Sequence, residues 1–244
     1  MTSYTLPWLD DWADFPDAAS ALDALNGLVA AGGGLSPEWL LAAYRRGLFP
    51  WFSESDPVLW WSPNPRLVLF PREIRIRRSL RRVLRQHRFE VRVDTDFPAV
   101  IAACATPREP GGGTWILPVM RTAYCRMFEL GYAHSVECWL EGRLVGGLYG
   151  MALGRAFFGE SMFSLETDAS KVALAHLARL LAAKGFAVID CQMSTPHLKS
   201  MGAREISRNE FCAGLERWVL DPEPPGRWPA DLAASIDWHE ADVA

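Results

Sequence analysis

The most regular stretch of the chain is "ASKVALAHLARLLAAKG", residues 169–185. Leu174, Leu177 and Leu181 recur at helical spacing and form one apolar stripe, with Asp168 at the N-cap position and Gly185 at the stop. Ahead of it the period is that of strands. "AHSVECWL" runs through the turn "EGR" into "LVGGLYGMAL", and Gly154 and Arg155 turn the chain into "AFFGESMF". Behind it, "FAVIDCQ" predicts a buried strand, "HLKSMG" a short helix, and Asn209 to Leu220 a last helix. Three antiparallel strands, a helix, a strand and a helix imply an α+β layer structure.

Upstream, "LVLF" (67–70) predicts a short buried strand ended by Pro71, and 75–85 a helix. A helix over 96–105 stops before "TPREPGGG", whose three glycines predict a mobile loop, and 117–130 predicts a helix closed by Gly131. Residues 1–64 are rich in Pro, Gly, Trp and Phe. One helix is readable there, with Ser36 as N-cap, Pro37 at its first position and Gly47 after its last. The expected organisation is a small N-terminal domain of one or two helices and turns (1–64), a larger domain (65–232) and a tail (233–244). Past Asp221, four prolines predict a segment wrapping the surface without regular structure.

Composition narrows the class. Half of the 244 residues are hydrophobic and 22% charged, so most of the chain is expected to fold. The five cysteines form no C-x-x-C pair, and the odd count fits reduced thiols. The five histidines have no ligand spacing, so no metal site is expected. The N-terminus is acidic and lacks an apolar core, and no apolar run approaches the roughly 18 residues that suggest a bilayer span. A cytoplasmic protein with no membrane partner is the expectation.

Charge then adds an anomaly. The formal net charge is −4, yet "RIRRSLRRVLR" (75–85) holds six arginines, and Glu73 is the only acid between Arg66 and Arg88. At 100° per residue Ile76, Leu80, Val83 and Leu84 fall on one side, while Arg78, Arg82 and Arg85 line up on the other, flanked by Arg75 and Arg81. A solvated face would ordinarily bring acids at i+4, and these are missing. Guanidinium groups suit phosphate, but a reader of duplex DNA needs Asn or Gln beside them, and only Gln86 qualifies. The ridge suits a backbone clamp, which fits structured RNA at least as well as DNA.

Two further patterns carry chemistry. "GLFPWF" and "LWWSPNP" gather Phe49, Trp51, Phe52, Trp60 and Trp61 among turn residues, and Trp115 follows the triple glycine. Most of these rings suit a core, but rings on turns beside a basic ridge also suit nucleobase stacking. Acids interrupt two apolar strands, Glu160 in "FFGESMF" and Asp190 in "VIDCQ". Asp190 and Gln192, two apart on a strand, are expected on one face, with Ile189 and Cys191 on the other. Such acids require partners, either in a structural bond or in a polar site. No Ser-His-Asp or Cys-His pattern, P-loop or dinucleotide fingerprint is readable.

"GGLSPEWLLAAYRRGLFPWF", "WWSPNPR", "GTWI", "HSVECW", "LVGGLYG", "FFGESMFS", "ASKVAL" and "IDCQ" together resemble the bacterial leucyl/phenylalanyl-tRNA–protein transferase family, from about Asn26 to Phe211. The resemblance implies a cytoplasmic aminoacyltransferase (a leucyltransferase) whose nucleic-acid partner is charged tRNA, with no DNA partner. It would move Leu or Phe, and less efficiently Met, from aminoacyl-tRNA to the α-amino group of proteins with N-terminal Arg or Lys, marking them for N-end-rule degradation. It implies a small N-terminal domain on a larger, acetyltransferase-like (GNAT-like) domain. Trp51 and Trp115, with Tyr44, match the rings at the tRNA's terminal adenosine, and Arg78, Arg82 and Arg85 match the acceptor-stem cluster. Phe157, Met162, Leu174, Leu177 and Ile189 would line the aminoacyl pocket, and Glu160, Asp190 and Gln192 would form the catalytic polar site. An aminoacyl ester is already activated, so no cofactor is expected, and the tasks are positioning and keeping the attacking amine unprotonated. Asp190 is expected to accept or orient the amine's proton, Gln192 to bond the carbonyl or amine, and Glu160 to pair an acceptor cation or hold the α-amine. The alternative is a CoA-dependent N-acetyltransferase, although "SLETDASKVAL" has no glycine for a pyrophosphate loop. A non-catalytic RNA-binding module would leave Glu160, Asp190 and Gln192 without a role.

Overall fold

The computed structural model describes residues 5–107, 114–220, 225–236 and 238. Its strands are β1 (Trp8–Leu9), β2 (Leu28–Gly32), β3 (Phe49–Pro50), β4 (Leu59–Trp61), β5 (Arg66–Leu69) and β6 (Glu90–Val93), then β7 (Ala133–Leu140), β8 (Arg143–Leu153), β9 (Ala156–Ser164), β10 (Val188–Gln192) and β11 (Arg204–Ile206). Its α-helices are α1 (Pro37–Arg45), α2 (Arg78–Arg85), α3 (Phe97–Cys104), α4 (Pro118–Glu129), α5 (Ala169–Ala183), α6 (Pro196–Ser200) and α7 (Arg208–Trp218). The fold is α+β. A four-stranded sheet in the order β1-β2-β4-β3 precedes a seven-stranded sheet in the order β11-β5-β10-β9-β8-β7-β6. Within the larger sheet β7, β8 and β9 are antiparallel, and β10 joins β9 in parallel, α5 being the crossover between them.

Alternation along the strands gives the larger sheet two apolar faces. Leu67, Leu69, Phe157 and Ile189 pack with α5 and with Leu80 and Leu84 of α2. Val68, Phe158 and Val188 pack on the other side with α3, α4 and the Trp60 and Leu40 side chains of the N-terminal region. One continuous apolar cluster therefore runs from the small sheet onto the large one.

Several expectations change. The N-terminal 64 residues contain a sheet as well as helix and turns. Its strands are two to five residues long, too short for alternation to show, and β2 is buried on both faces. The basic helix begins at Arg78, not Arg75. The Arg75 amide donates to the Met201 carbonyl at 2.8 Å, which ties that residue to the α6–β11 turn. Asp168 does stand at the N-cap of α5, but its side chain makes no cap bond and pairs with Lys171 at 2.7 Å. Residues 108–113, most of the loop expected to be mobile, lie outside the described residues, as do 221–224.

The C-terminal segment does not simply wrap the surface. It includes a 3-10 turn over Leu232–Ser235 and contributes to the core. Trp228 stacks on His134 with centroids 3.8 Å apart, and its amide donates to Asp94 Oδ2, which also contacts His134 Nδ1 at 2.8 Å. Trp238 donates from Nε1 to His176 Nε2 at 3.0 Å. Proline content conceals this, because the two tryptophans bind by ring and N–H, with no need for regular backbone.

Candidate active site

β9 and β10 pair for only three residues, Ala156 to Phe158 against Val188 to Asp190, and then part. Each carries an extra residue at the point of parting. Glu160 is the bulged position of β9 against β8, and Cys191 that of β10 against β5. Between the parted strands opens a cavity of about 1130 Å³.

Its apolar part is built by register. Phe157 and Ile189 are cross-strand partners on the face that α5 covers with Leu174 and Leu177. Met162 is five residues after Phe157, a spacing that uninterrupted alternation would send to the opposite face. The bulge at Glu160 restores it, so both residues pack on the α5 side while Phe158 and Phe163 pack on the other. All five residues expected in the aminoacyl pocket line the cavity, and Leu148 of β8 joins them.

The polar wall holds Glu160, Asp190 and Gln192. Asp190 is fully buried in a bidentate ion pair with Arg66, Nε to Oδ1 at 2.8 Å and Nη2 to Oδ2 at 2.6 Å. The Gln192 amide adds a bond to Oδ1 at 2.9 Å, which the left-handed backbone of Gln192 (φ 58°) permits. Arg66 is locked in turn. Its Nη1 donates to the carbonyl of Gly47 at 3.1 Å, and its guanidinium lies between the rings of Phe49 and Phe211, 4.9 and 4.6 Å from their centroids. Gly47, at φ 78°, ends α1 and thereby aims that carbonyl.

Among the described residues no cation contacts Glu160. Tyr44 of α1 donates to Oε1 at 2.6 Å, Tyr124 of α4 to Oε2 at 2.9 Å, and Gln192 Nε2 to Oε1 at 3.1 Å. Burial pushes the Glu160 pKa up to about 7; bonds that the tyrosines donate to the ionised form act against this, the neighbouring Asp190 charge raises it and Arg66 lowers it. Burial, and the Glu160 carboxylate in its ionised form, push the hydroxyls of Tyr44 and Tyr124 well above the ordinary tyrosine value.

The stacking candidates divide. Trp51 and Trp115 line the cavity, and Trp51 is half exposed, held edge-on to Trp61 with centroids 5.5 Å apart. Tyr44 is fully buried behind the polar wall and does not join the cavity lining, so its partner is Glu160. Arg78, Arg82 and Arg85 are exposed on α2, outside the cavity. Among the described residues no carboxylate pairs with Arg78 or Arg82, and Arg85 Nε donates to the Trp238 carbonyl at 3.3 Å. The described residues contain no group of three possible metal ligands, and none of their helices is long and apolar enough to cross a membrane.

Sequence reasoning missed Arg66 and Tyr124 as site residues. Arg66 was legible only as one of nine arginines, although it stands immediately before an apolar strand, where a cation needs a partner. Tyr124 shares an apolar helical stripe with Met120, Met127 and Phe128, and its hydroxyl is the polar handle on that stripe.

A family described as leucyl/phenylalanyl-tRNA protein transferase matches residues 68–216, and its N-terminal domain matches 33–64. The leucyl/phenylalanyl-tRNA–protein transferase of Azoarcus sp. (strain BH72) is 69% identical over 96% of this chain and 100% of its own length. The protein of the same name from Aromatoleum aromaticum is 66% identical over 95% of this chain and 98% of its own, and that of Chromobacterium violaceum 53% identical over 91% and 96%. Matched over residues 33–64 and 68–216, ranges that contain Glu160, Asp190 and Gln192, the chain belongs to the leucyl/phenylalanyl-tRNA protein transferase family.

Proposed function

We propose that this protein moves Leu or Phe, and less efficiently Met, from aminoacyl-tRNA to the α-amino group of proteins beginning with Arg or Lys, committing them to N-end-rule degradation in the cytoplasm. The observation that carries the reading is the cavity. An apolar pocket of Phe157, Met162, Leu174, Leu177 and Ile189 adjoins Glu160, Asp190 and Gln192, with Trp51 and Trp115 on the same lining. In this reading the two tryptophans hold the terminal adenosine, the arginine ridge holds the acceptor stem, and the pocket takes the aminoacyl side chain. One methylene is worth only about 1–3 kcal/mol in such a pocket, so Val and Ile are rejected by shape as well as size.

The transfer needs no energy source, since the ester supplies it. Asp190 has both oxygens engaged by Arg66 and a third bond from the Gln192 amide, a geometry that favours orienting over accepting a proton. Gln192 spans the wall, its amide on Asp190 and its side chain on Glu160. Residues 1–64 are read as the small domain and 65–232 as the catalytic domain, a boundary that the change of sheet between Trp61 and Arg66 supports; 233–244 is read as the tail, although Ala233 and Trp238 pack in the core of the larger domain. The three antiparallel strands, crossover helix and parted parallel strand support an acetyltransferase-like larger domain. The CoA reading is weaker. At the start of α5 the Ser170 amide is taken by Ser164 Oγ at 3.2 Å and the Asp168 carboxylate sits at the N-cap, where a pyrophosphate would be repelled.

Incubation with labelled Leu-tRNA and a peptide beginning with Arg tests the proposal. RNA-dependent labelling of the peptide is expected, and none at all would sink it. Asp190→Ala should lower turnover more than it weakens tRNA binding; equal turnover would remove Asp190 from the mechanism.

A further inference from the structure

Tyr44, Tyr124 and Glu160 close a ring. Tyr44 Oη is 2.6 Å from Glu160 Oε1, Tyr124 Oη is 2.9 Å from Oε2, and the two hydroxyl oxygens are 2.6 Å apart. Each of these contacts is of hydrogen-bond length, and each needs one proton. Two tyrosine hydroxyls supply two. If Glu160 is ionised, both tyrosines donate to it, and the short contact between their oxygens sets lone pair against lone pair in the buried interior. If Glu160 is protonated, all three contacts are filled.

Gln192 sets the direction of the circuit. Its Nε2 donates to Oε1, the same atom that accepts from Tyr44. Oε1 is therefore the carbonyl oxygen, and Oε2 carries the proton. The bonds run from Glu160 Oε2 to Tyr124, from Tyr124 to Tyr44, and from Tyr44 back to Oε1. The other ionisable groups facing Glu160 are Asp190 of β10, Arg66 of β5 and Tyr149 of β8. Arg66 is committed to Asp190 by two bonds, and Asp190 opposes a second anion beside it.

We propose that Glu160 acts in the transfer as a neutral acid, held protonated in a closed ring of three hydrogen bonds with Tyr44 and Tyr124, and that Tyr124 is its positioning residue. The inference rests on the reading of this cavity as the transfer site. Of the three, only Glu160 lines the cavity, so only its carboxyl can exchange a proton with substrate. As the bond from amine nitrogen to carbonyl carbon forms and the carbon–oxygen bond to the ribose breaks, the Oε2–H turns from Tyr124 toward the cavity and gives its proton to the departing ribose oxygen. Glu160 receives the proton that the amine sheds, so the carboxyl is neutral before and after.

The test is an infrared titration of the carboxylic-acid C=O band in protein labelled with carboxyl-13C glutamate, assigned with Glu160→Gln. At about pH 6, where exposed glutamates are ionised, wild type should show one protonated glutamate band. Its absence overturns the proposal. Tyr124→Phe takes two bonds from the neutral form of the ring and one from the anion, so the titration of Glu160 should move to lower pH. A move to higher pH means that the tyrosines merely donate to a carboxylate, and overturns the ring. This comparison of wild type with Tyr124→Phe also assigns the band should Glu160→Gln not fold. The spectra need no substrate, so a failed transfer reading would leave them unchanged. In the transfer assay Glu160→Gln should slow the single-turnover step about 100-fold or more, with donor-tRNA affinity retained. An unslowed step overturns the proton role while leaving the transfer reading intact.

Discussion

The two lips of the cavity each bury one carboxyl group, and the fold treats them in opposite ways. On β10, Asp190 meets a guanidinium in bidentate geometry, and that guanidinium is gripped by two aromatic rings and a carbonyl. On β9, the donors that Glu160 meets among the described residues are neutral, two hydroxyls and an amide. A buried charge with a fixed counter-charge is a rigid element, since moving either partner exposes both to a desolvation penalty. A buried carboxyl among hydroxyls can instead change its protonation state without moving. The comparison separates a wall that holds geometry from a wall that can handle a proton.

The sharpest way to break this contrast is to remove the counter-charge. Arg66→Leu leaves Asp190 buried and unpaired, and should cost about 3–5 kcal/mol in urea unfolding. Adding Asp190→Leu to Arg66→Leu should recover part of that loss, because the penalty lies in the orphaned charge. A double variant no more stable than the single one would show that Arg66 acts through its packing against Phe49 and Phe211 alone.

The Glu160 wall should reveal itself in the pH dependence of stability. A pKa raised from 4.5 to about 7 means that the unfolded chain gives up this proton first. Stability from this group is full below about pH 4.5 and is lost as pH rises through about 7, in all roughly 3 kcal/mol at about 1.4 kcal/mol per unit. His176 pulls the other way. Burial lowers its pKa from 6.5 to about 4, so its contribution is full above 6.5 and is lost as pH falls through 4. Between about pH 4.5 and 6.5 the two slopes oppose each other in wild type. Glu160→Gln should therefore show a melting temperature that climbs across that window more steeply than wild type, and that no longer falls near neutrality. Parallel curves for the two proteins would mean that Glu160 is ionised in both folded and unfolded states, which would dissolve the contrast with Asp190.

How far this contrast was legible in the sequence depends on periodicity. The long helices and the strands β7 to β9 were readable because each repeats its pattern over enough residues to fix a face, while β5 and β10, four and five residues long, were readable only as short apolar runs between turn or helix signals. The strands of the small sheet and the three- and four-residue strands β6 and β11 were not, since two to five residues do not establish a period. Glu160, Asp190 and Gln192 stood out as polar interruptions of apolar runs. Their partners did not, because Arg66, Tyr44 and Tyr124 come from β5, α1 and α4, brought together only by the packing of the small sheet and α4 on one face of the larger sheet. The bulges at Glu160 and Cys191 were also invisible, since an extra residue in a strand has no mark in the pattern. Alternation alone would have separated Phe157 from Met162, and only the resemblance to the family put them in one pocket.

The smallest expected effect lies outside the cavity and tests whether arginine in this protein divides as the carboxylates do. Arg66 is sealed and spends both edges of its guanidinium on Asp190 and Gly47. Arg82 is exposed on α2, with no carboxylate partner among the described residues. Arg82→Ala should therefore change folding stability by no more than about 0.5 kcal/mol, where Arg66→Leu costs several. If the ridge holds the acceptor stem by its phosphates, the same substitution should weaken Leu-tRNA binding and reduce the slope of log K against log salt by about 0.7–0.9, one counterion's worth. Turnover of bound donor should be unchanged, because nothing on α2 lines the cavity. An unaltered salt slope would take Arg82 out of the RNA interface and leave the ridge as a solvated helix face.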